Sequence, residues 1–139
     1  MAGAFLAKTI PLGPLERVVP RELGPKPWGL ETLIADTPYY IGKILRMQAG
    51  HRGGLQYHEQ KDETFYLLSG AAMLKTAVNG HLRSMRIGPG DCIHVPPGAV
   101  HQVEAISECV FFEWSTPHFD DRVNVSAQYY SDPVLGEAW

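Results

Sequence analysis

Gln56 and His58 stand two residues apart, a spacing that puts both side chains on the same face of a β-strand. An amide oxygen and an imidazole nitrogen on one face can bind one metal ion. Glu63 follows after a polar break long enough for the chain to turn and return as a neighbouring strand. The pattern predicts a metal site, and the same parity points Phe65 and Leu67 inward.

A second cluster supplies another imidazole. Residues 88–101 read GPGDCIHVPPGAVH, which combines a Gly-Asp turn, a short strand, a Pro-Pro-Gly bend and then His101. We therefore predict that Gln56, His58, Glu63 and His101 bind one divalent ion. Two nitrogen and two oxygen ligands suit zinc, manganese, iron, cobalt or nickel, with one or two positions open to water or substrate. The alternative is a metal-free interior in which these side chains bond to one another.

Two further residues are candidate acid–base groups. Lys61 is placed to contact a substrate phosphate or to shuttle a proton, although it belongs to the charged run 59–62, and such runs are usually solvated loops. Glu113 lies in a predicted strand that can bring it to the mouth of a barrel as a general base. The alternative for Glu113 is a structural carboxylate with satisfied partners.

Short strands must position these side chains, because prolines and glycines interrupt the chain every several residues and no useful helix period appears. Asn79-Gly80 predicts a tight hairpin, which makes the neighbouring strands antiparallel. The pattern favours an all-β, double-sheet jelly roll. The predicted strands are Tyr40–Met47, Gly54–His58, Glu63–Leu68, Ala71–Val78, His81–Ile87, Asp91–Val95, His101–Ala105 and Cys109–Ser115.

A chain of 139 residues fits one domain, which we divide into a proline-rich arm (1–30), a barrel core (40–116) and a C-terminal extension (117–139). A formal charge of -3 excludes a strong basic field for nucleic acid. The apolar runs are too short to cross a membrane, and the N-terminus lacks a secretory pattern. We expect a cytoplasmic protein whose arm docks on a second subunit in a homodimer.

The two clusters together resemble the two motifs of the cupin superfamily. The first motif appears as Gly50, five residues, Gln56-Tyr57-His58, four residues, Glu63, six residues and Gly70. The second appears as Gly90, five residues, Pro96-Pro97-Gly98, two residues, His101, three residues and Ala105. The resemblance implies a cupin-type double-stranded β-helix. Gln56 replaces the usual first His of the family, and Ala105 replaces its final Asn, a change that affects packing rather than ligation.

A narrower resemblance points to a substrate class. The segment LQYHEQKDETFYLLSG (55–70) resembles the cupin domain of bacterial phosphomannose isomerases, where a Leu-Gln-x-His run precedes a basic residue and then an acid. KPWGLET (26–32) and FFEWSTPHFDDRVNV (111–125) resemble the opening and closing stretches of that domain. The resemblance implies a sugar-like small-molecule substrate. A substrate phosphate would need a cationic partner, for which Arg46, Arg52, Lys43 and Lys61 are candidates.

Three functions remain open at this level. The first is a metal-dependent aldose–ketose isomerase of sugars or sugar phosphates, similar to mannose-6-phosphate isomerase, with Glu113 or Lys61 as the base. The second is a metal-dependent dioxygenase, since open positions on iron also suit oxygen chemistry. The third is a non-catalytic module that binds a sugar or another small molecule.

Overall fold

Extended runs between the turn residues form strands throughout the structure, a computed structural model that describes residues 13–130. The strands are β1 (Arg21–Lys26), β2 (Gly29–Asp36), β3 (Ile41–Met47), β4 (Gln56–His58), β5 (Glu63–Ser69), β6 (Ala72–Val78), β7 (His81–Ile87), β8 (Cys92–Val95), β9 (His101–Ala105), β10 (Cys109–Ser115) and β11 (Arg122–Asn124). One turn of helix, α1 (Ser126–Tyr129), follows. The eight predicted strands are all present, and the predicted all-β class is confirmed.

These strands build two antiparallel sheets that face each other. One sheet has the order β1-β2-β3-β10-β5-β8, and the other has the order β11-β4-β9-β6-β7. Buried side chains from both sheets form one apolar cluster, which shows that the sheets share a core. This architecture is the predicted jelly roll. The cluster contains Met47, Phe65, Leu67, Ala72, Leu74, Ile87, Val95, Ala105, Cys109 and Phe111.

Alternation along the central strands decides which side chains enter the barrel. In β5, Glu63, Phe65 and Leu67 are all buried, which confirms the inward direction that parity predicts. In the adjacent β10, Phe111 and Glu113 are buried in the same alternating pattern. The inner face of this sheet therefore carries both core residues and carboxylates.

The hairpin between β6 and β7 forms as the sequence predicts. Asn79 and Gly80 have φ values of 51° and 78°, and Val78 pairs with His81 across the turn. Positive φ at both central residues is the requirement of a type I′ turn, whose twist matches that of the two strands. This turn sets the register of β6 and β7.

The first and last described segments also join the sheets. The strand β1 is an edge strand, where Pro25 is tolerated because an edge N–H need not be paired. The strands β1, β2 and β11 are not among the eight predicted strands; β1 pairs with β2, β2 with β3, and β11 with β4. Residues 1–12 and 131–139 lie outside the described part. The division into arm, core and extension stays a prediction, as does the homodimer. No helix among residues 13–130 has the length and hydropathy needed to cross a membrane.

Gly50 and Gly70, the two glycines that bound the first motif, differ in how closely other atoms pack against them. Both have positive φ, +80° at Gly50 and +93° at Gly70. A Cβ at Gly50 would meet nothing within 4 Å, whereas one at Gly70 would lie 2.2 Å from the Glu108 carbonyl oxygen. We expect Gly50→Ala to lower the free energy of unfolding by about 1–2 kcal/mol through backbone strain. Gly70→Ala should cost clearly more, because the backbone of β10 must shift. Equal losses in urea unfolding would contradict this account.

Candidate metal centre

Three potential ligands converge between the two sheets. His58 comes from β4 and His101 from β9, while Glu63 begins β5 in the facing sheet. Each offers one ligand atom within 4.8 Å of the others, and all three side chains are buried. His101 Nε2 lies 3.5 Å from Glu63 Oε1, and His58 Nε2 lies 3.8 Å from Glu63 Oε2. The structure thus brings together three of the four predicted metal ligands.

The remaining predicted ligand, Gln56, is close to this group. It is the Cα partner of His101 where β4 meets β9, and it lines the same cavity as the three converging residues. Because Gln56 and His58 are two apart on one short strand, they share the face that looks into the barrel. Gln56 therefore borders the cavity beside the three converging ligands, and its ligation stays a prediction.

Each imidazole is oriented by its other nitrogen. His101 Nδ1 lies 2.9 Å from the Ala99 carbonyl oxygen, and His58 Nδ1 lies 3.1 Å from Asp121 Oδ1. Both oxygens accept hydrogen bonds, so Nδ1–H is the donor, and the Nε2 lone pair faces Glu63. Burial, together with the charge of Lys61, lowers the pKa of His58 and favours the neutral ring. Neutral imidazole is the form that binds metals.

The donor set fits a divalent cation. Two Nε2 lone pairs and a carboxylate face one another, and such an arrangement of acceptors is unfavourable without a cation among them. Glu63 Oε2 is buried and has no hydrogen-bond partner among the described residues. Lys61 Nζ forms an ion pair with that oxygen at 2.6 Å. A divalent ion would complete the coordination of all three groups.

Lys61 and Glu113, the two predicted acid–base residues, meet beside Glu63. Lys61 is buried, and its Nζ donates a hydrogen bond of 3.0 Å to Glu113 Oε2. The solvated-loop interpretation of Lys61 is therefore wrong. Burial alone would lower the pKa of Lys61, but the charges of Glu113 and Glu63 outweigh burial and raise it. Burial and the charge of Glu63 raise the pKa of Glu113.

Asp121 is a site residue that the sequence reasoning missed. Its Oδ1 accepts from His58, while Oδ2 accepts the backbone N–H groups of Gln60 and Lys61, each at 2.6 Å. These bonds fix the backbone of the loop 59–62, in which Lys61 alone is buried and its three neighbours are exposed. Pairing of β11 with β4 puts Arg122 opposite His58, which leaves Asp121 beside the ring. The only sequence signal was the acidic turn noted in the closing stretch of the resemblance.

The candidate ligands line a cavity of about 470 Å³. This volume is in the range of small-molecule sites. Part of its wall is aromatic, from Trp28, Phe111 and Phe119, and another part is formed by charged side chains. The cavity can therefore accommodate a polar ligand of a few carbon atoms next to the candidate metal ligands.

Comparison with known proteins agrees with this architecture. Residues 43–118, more than half of the chain, match the family model described as the cupin domain. No curated protein sequence matches the chain significantly. The structure is similar to that of the capsular polysaccharide assembling protein CapF from Staphylococcus aureus, with a TM-score of 0.68 and 18% identity over 78% of this chain. The match spans 32% of CapF, so this chain corresponds to about a third of that protein.

Two further solved structures share the fold. KdgF from Halomonas sp. has a TM-score of 0.62 and 21% identity, and the match covers 73% of this chain and 89% of KdgF. Oxalate decarboxylase from Bacillus subtilis, a protein with Mn(II) centres, has a TM-score of 0.63 and 22% identity, with coverage of 87% of this chain and 36% of the other. At these identities the similarity shows the fold alone.

The hydrogen bonds of Asp121 predict a pH-dependent contribution to stability. Although burial favours the neutral acid, the N–H groups of Gln60 and Lys61 and the ring of His58 lower the pKa of Asp121. Its contribution is therefore complete above the unfolded pKa of about 4 and is lost as the pH falls through the lower folded value. At pH 7 we expect Asp121→Asn to reduce the free energy of unfolding by about 2 kcal/mol.

Urea unfolding at pH 7 and near pH 2 measures this effect. The difference between wild type and Asp121→Asn should shrink at the lower pH, because the wild-type carboxylate takes up a proton as the pH falls towards its lowered pKa. Asp120→Asn, at the exposed neighbouring position, is the matched control and should change stability little at either pH. An Asp121→Asn difference that is the same at both pH values would contradict the assignment.

Proposed function

Since this chain belongs to the cupin domain family, which confirms the resemblance of its motifs, we propose that it is a metal-dependent isomerase of sugars or sugar phosphates. The observation that carries the proposal is the buried pair of Lys61 and Glu113 directly beside the candidate metal ligands in one cavity. A carboxylate and an ammonium at this position are the groups that move a proton between neighbouring carbons.

His58, Glu63 and His101 would hold the ion, with Gln56 as a fourth and weaker ligand. Zinc, manganese, iron, cobalt and nickel all suit two nitrogens and two oxygens. When bound, the ion would polarise a substrate carbonyl and its adjacent hydroxyl. The convergence of the Nε2 atoms on Glu63 supports the ligand set, and the Mn(II) centres of the structurally similar oxalate decarboxylase make manganese a reasonable first metal to test.

Glu113 is the base in this proposal. It takes the proton from the carbon next to the carbonyl and returns it to the neighbouring carbon, while a proton moves between the two oxygens, through an enediol. The overall change is an isomerisation that needs no oxidant or reductant. Lys61 is ion-paired with two carboxylates, which keeps it an ammonium without a lone pair. Lys61 therefore orients Glu113 and donates hydrogen bonds rather than abstracting a proton.

The ranking of the metal ligands is testable by substitution. We expect His58→Ala to weaken metal affinity by a hundredfold or more, because it removes an imidazole whose orientation Asp121 fixes. Gln56→Ala should weaken affinity by only about tenfold, since an amide oxygen is the poorest of the four ligands. Metal content of the purified proteins, followed by competition with a chelator, measures both. An equal or greater loss for Gln56→Ala would reverse the ranking.

Proton exchange tests the isomerase itself. Metal-loaded protein in deuterated water should incorporate deuterium next to the carbonyl of an aldose or ketose, across a panel of sugars and sugar phosphates. Glu113→Gln should slow this exchange by about 10²- to 10⁴-fold while metal content stays the same, because the amide cannot accept the proton. Glu108→Gln, an exposed acid outside this cavity, is the control and should exchange like wild type.

Each rival function has its own outcome in these measurements. No exchange by a metal-loaded sample overturns the isomerase. Tightly bound iron with oxygen uptake would favour the dioxygenase. A protein that binds no metal but does bind sugar would be a non-catalytic binding module, and both enzymatic functions would be excluded.

A further inference from the structure

We propose that the cavity has a second, cationic pole, formed by Lys26 and Lys43, which binds one phosphate or carboxylate group of the substrate. This inference rests on the proposed function, because it concerns the substrate of the same cavity. It narrows the substrate from any sugar-like molecule to an anionic one. The candidate metal centre and the cationic pole would contact opposite ends of that molecule.

The cationic pole is built around one carboxylate. Glu31 on β2 is buried, and its Oε1 lies 2.5 Å from Lys43 Nζ, while its Oε2 lies 3.5 Å from Lys26 Nζ. Lys43 is buried on β3. Lys26 lies at the end of β1, and 36% of its side-chain surface is exposed to solvent. The charge of Lys43 keeps the pKa of Glu31 low against the opposing effect of burial, so Glu31 stays ionised. Two ammonium groups thus share one carboxylate.

The opposite pole has the reverse composition, since Lys61 alone serves both Glu63 and Glu113. The pole at Glu63 has two carboxylates for one ammonium, whereas the pole at Glu31 has two ammonium groups for one carboxylate. The two poles adjoin, because the charge of Lys43 also acts on Glu113 and opposes the rise in its pKa. At the mouth, Asp120 and Arg122 add one charge of each sign and leave this difference unchanged. A divalent ion at Glu63 would make the lining as a whole positive, and a charge in a low-dielectric interior is stable only when it is paired. An anionic substrate would complete the pairing.

The distance between the poles sets the size of the ligand. Lys43 on β3 is the Cα partner of Glu113 on β10, and β10 in turn pairs with β5, which carries Glu63. The backbones that carry Lys43 and Glu63 are therefore two strand spacings apart, about 10 Å. This spacing suits a ligand of a few carbon atoms with one terminal phosphate or carboxylate. The ring of Phe119, 5.5 Å from Lys43 Nζ, borders the pole.

The other cations proposed from the sequence do not share this position. Lys43 lines the cavity, and Lys61 does so at the metal pole. Arg46 lines a second pocket, which Lys26 also borders, and does not line the main cavity. Arg52 lies over the ring of Tyr130, outside the residues that line the main cavity. Lys26, which was not considered from the sequence, completes the cationic pole.

Calorimetric titration of the full-length, metal-loaded protein with glucose, glucose 6-phosphate and glucuronate tests the pole, because the three differ only at the sixth carbon. We expect at least one anionic sugar to bind tenfold or more tightly than glucose. Lys26→Gln should remove most of that preference and leave glucose binding unchanged. Glu31→Gln should increase the preference several-fold, since it removes the carboxylate that competes with the substrate.

Arg83→Gln, an exposed cation on β7, is the matched control and should behave as wild type. Whether the phosphate or the carboxylate binds more tightly identifies the anion. The pole is refuted if no ligand of the three binds, if glucose binds as tightly as the anions, or if Lys26→Gln keeps the preference. If Glu31→Gln does not fold, the anion preference of the Lys26→Gln variant still tests the pole, because Lys26 is partly exposed and its substitution disturbs the fold less.

Failure of the pole and failure of the isomerase are distinguishable. Anion-dependent binding without proton exchange would leave the cationic pole in place and overturn the isomerase. Equal exchange of neutral and phosphorylated sugars, unaffected by Lys26→Gln, would overturn the pole and leave the isomerase in place.

Discussion

Carboxylates inside the barrel impose the strongest constraint on this structure. Glu31, Glu63 and Glu113 are each exposed by less than a tenth of their surface, in an interior where an unpaired charge is unstable by several kcal/mol. Lys43 and Lys61 are buried with these carboxylates and form ion pairs with them. Strand alternation admits these side chains to the interior, and ion pairing then decides how they are arranged.

The loop 59–62 and the strands β2 and β11 lie outside the central strands, yet they position the residues that pair with the buried carboxylates and histidines. The loop 59–62 sends only the side chain of Lys61 into the interior, and Asp121 fixes the loop by accepting two of its backbone N–H groups. The same carboxylate orients His58, so one residue connects the imidazole, the loop and the closing strand β11. Similarly, β2 extends the larger sheet and brings Glu31 beside Lys43. Both additions to the central strands thus serve the polar interior.

The distribution of charge links the structure to chemistry. Near Glu63, acceptors outnumber cations, which suits a metal ion; near Lys43, cations outnumber acceptors, which suits an anion. The apolar cluster shared by the two sheets packs behind both groups of charges. In the function that we propose, a small ligand would bind between these two groups, with Glu113 as the base.

Local spacing in the sequence was sufficient to predict the central strands, the Asn79-Gly80 hairpin and the common direction of His58 and Glu63, because strand period and turn chemistry act over a few residues. It could not predict the burial of Lys61 or the role of Asp121. Those depend on partners 52 and 63 positions away, Glu113 and His58 respectively. The ammonium group of Lys61 can be buried only because strands distant in sequence supply its counter-charges, and only the tertiary structure brings those charges together.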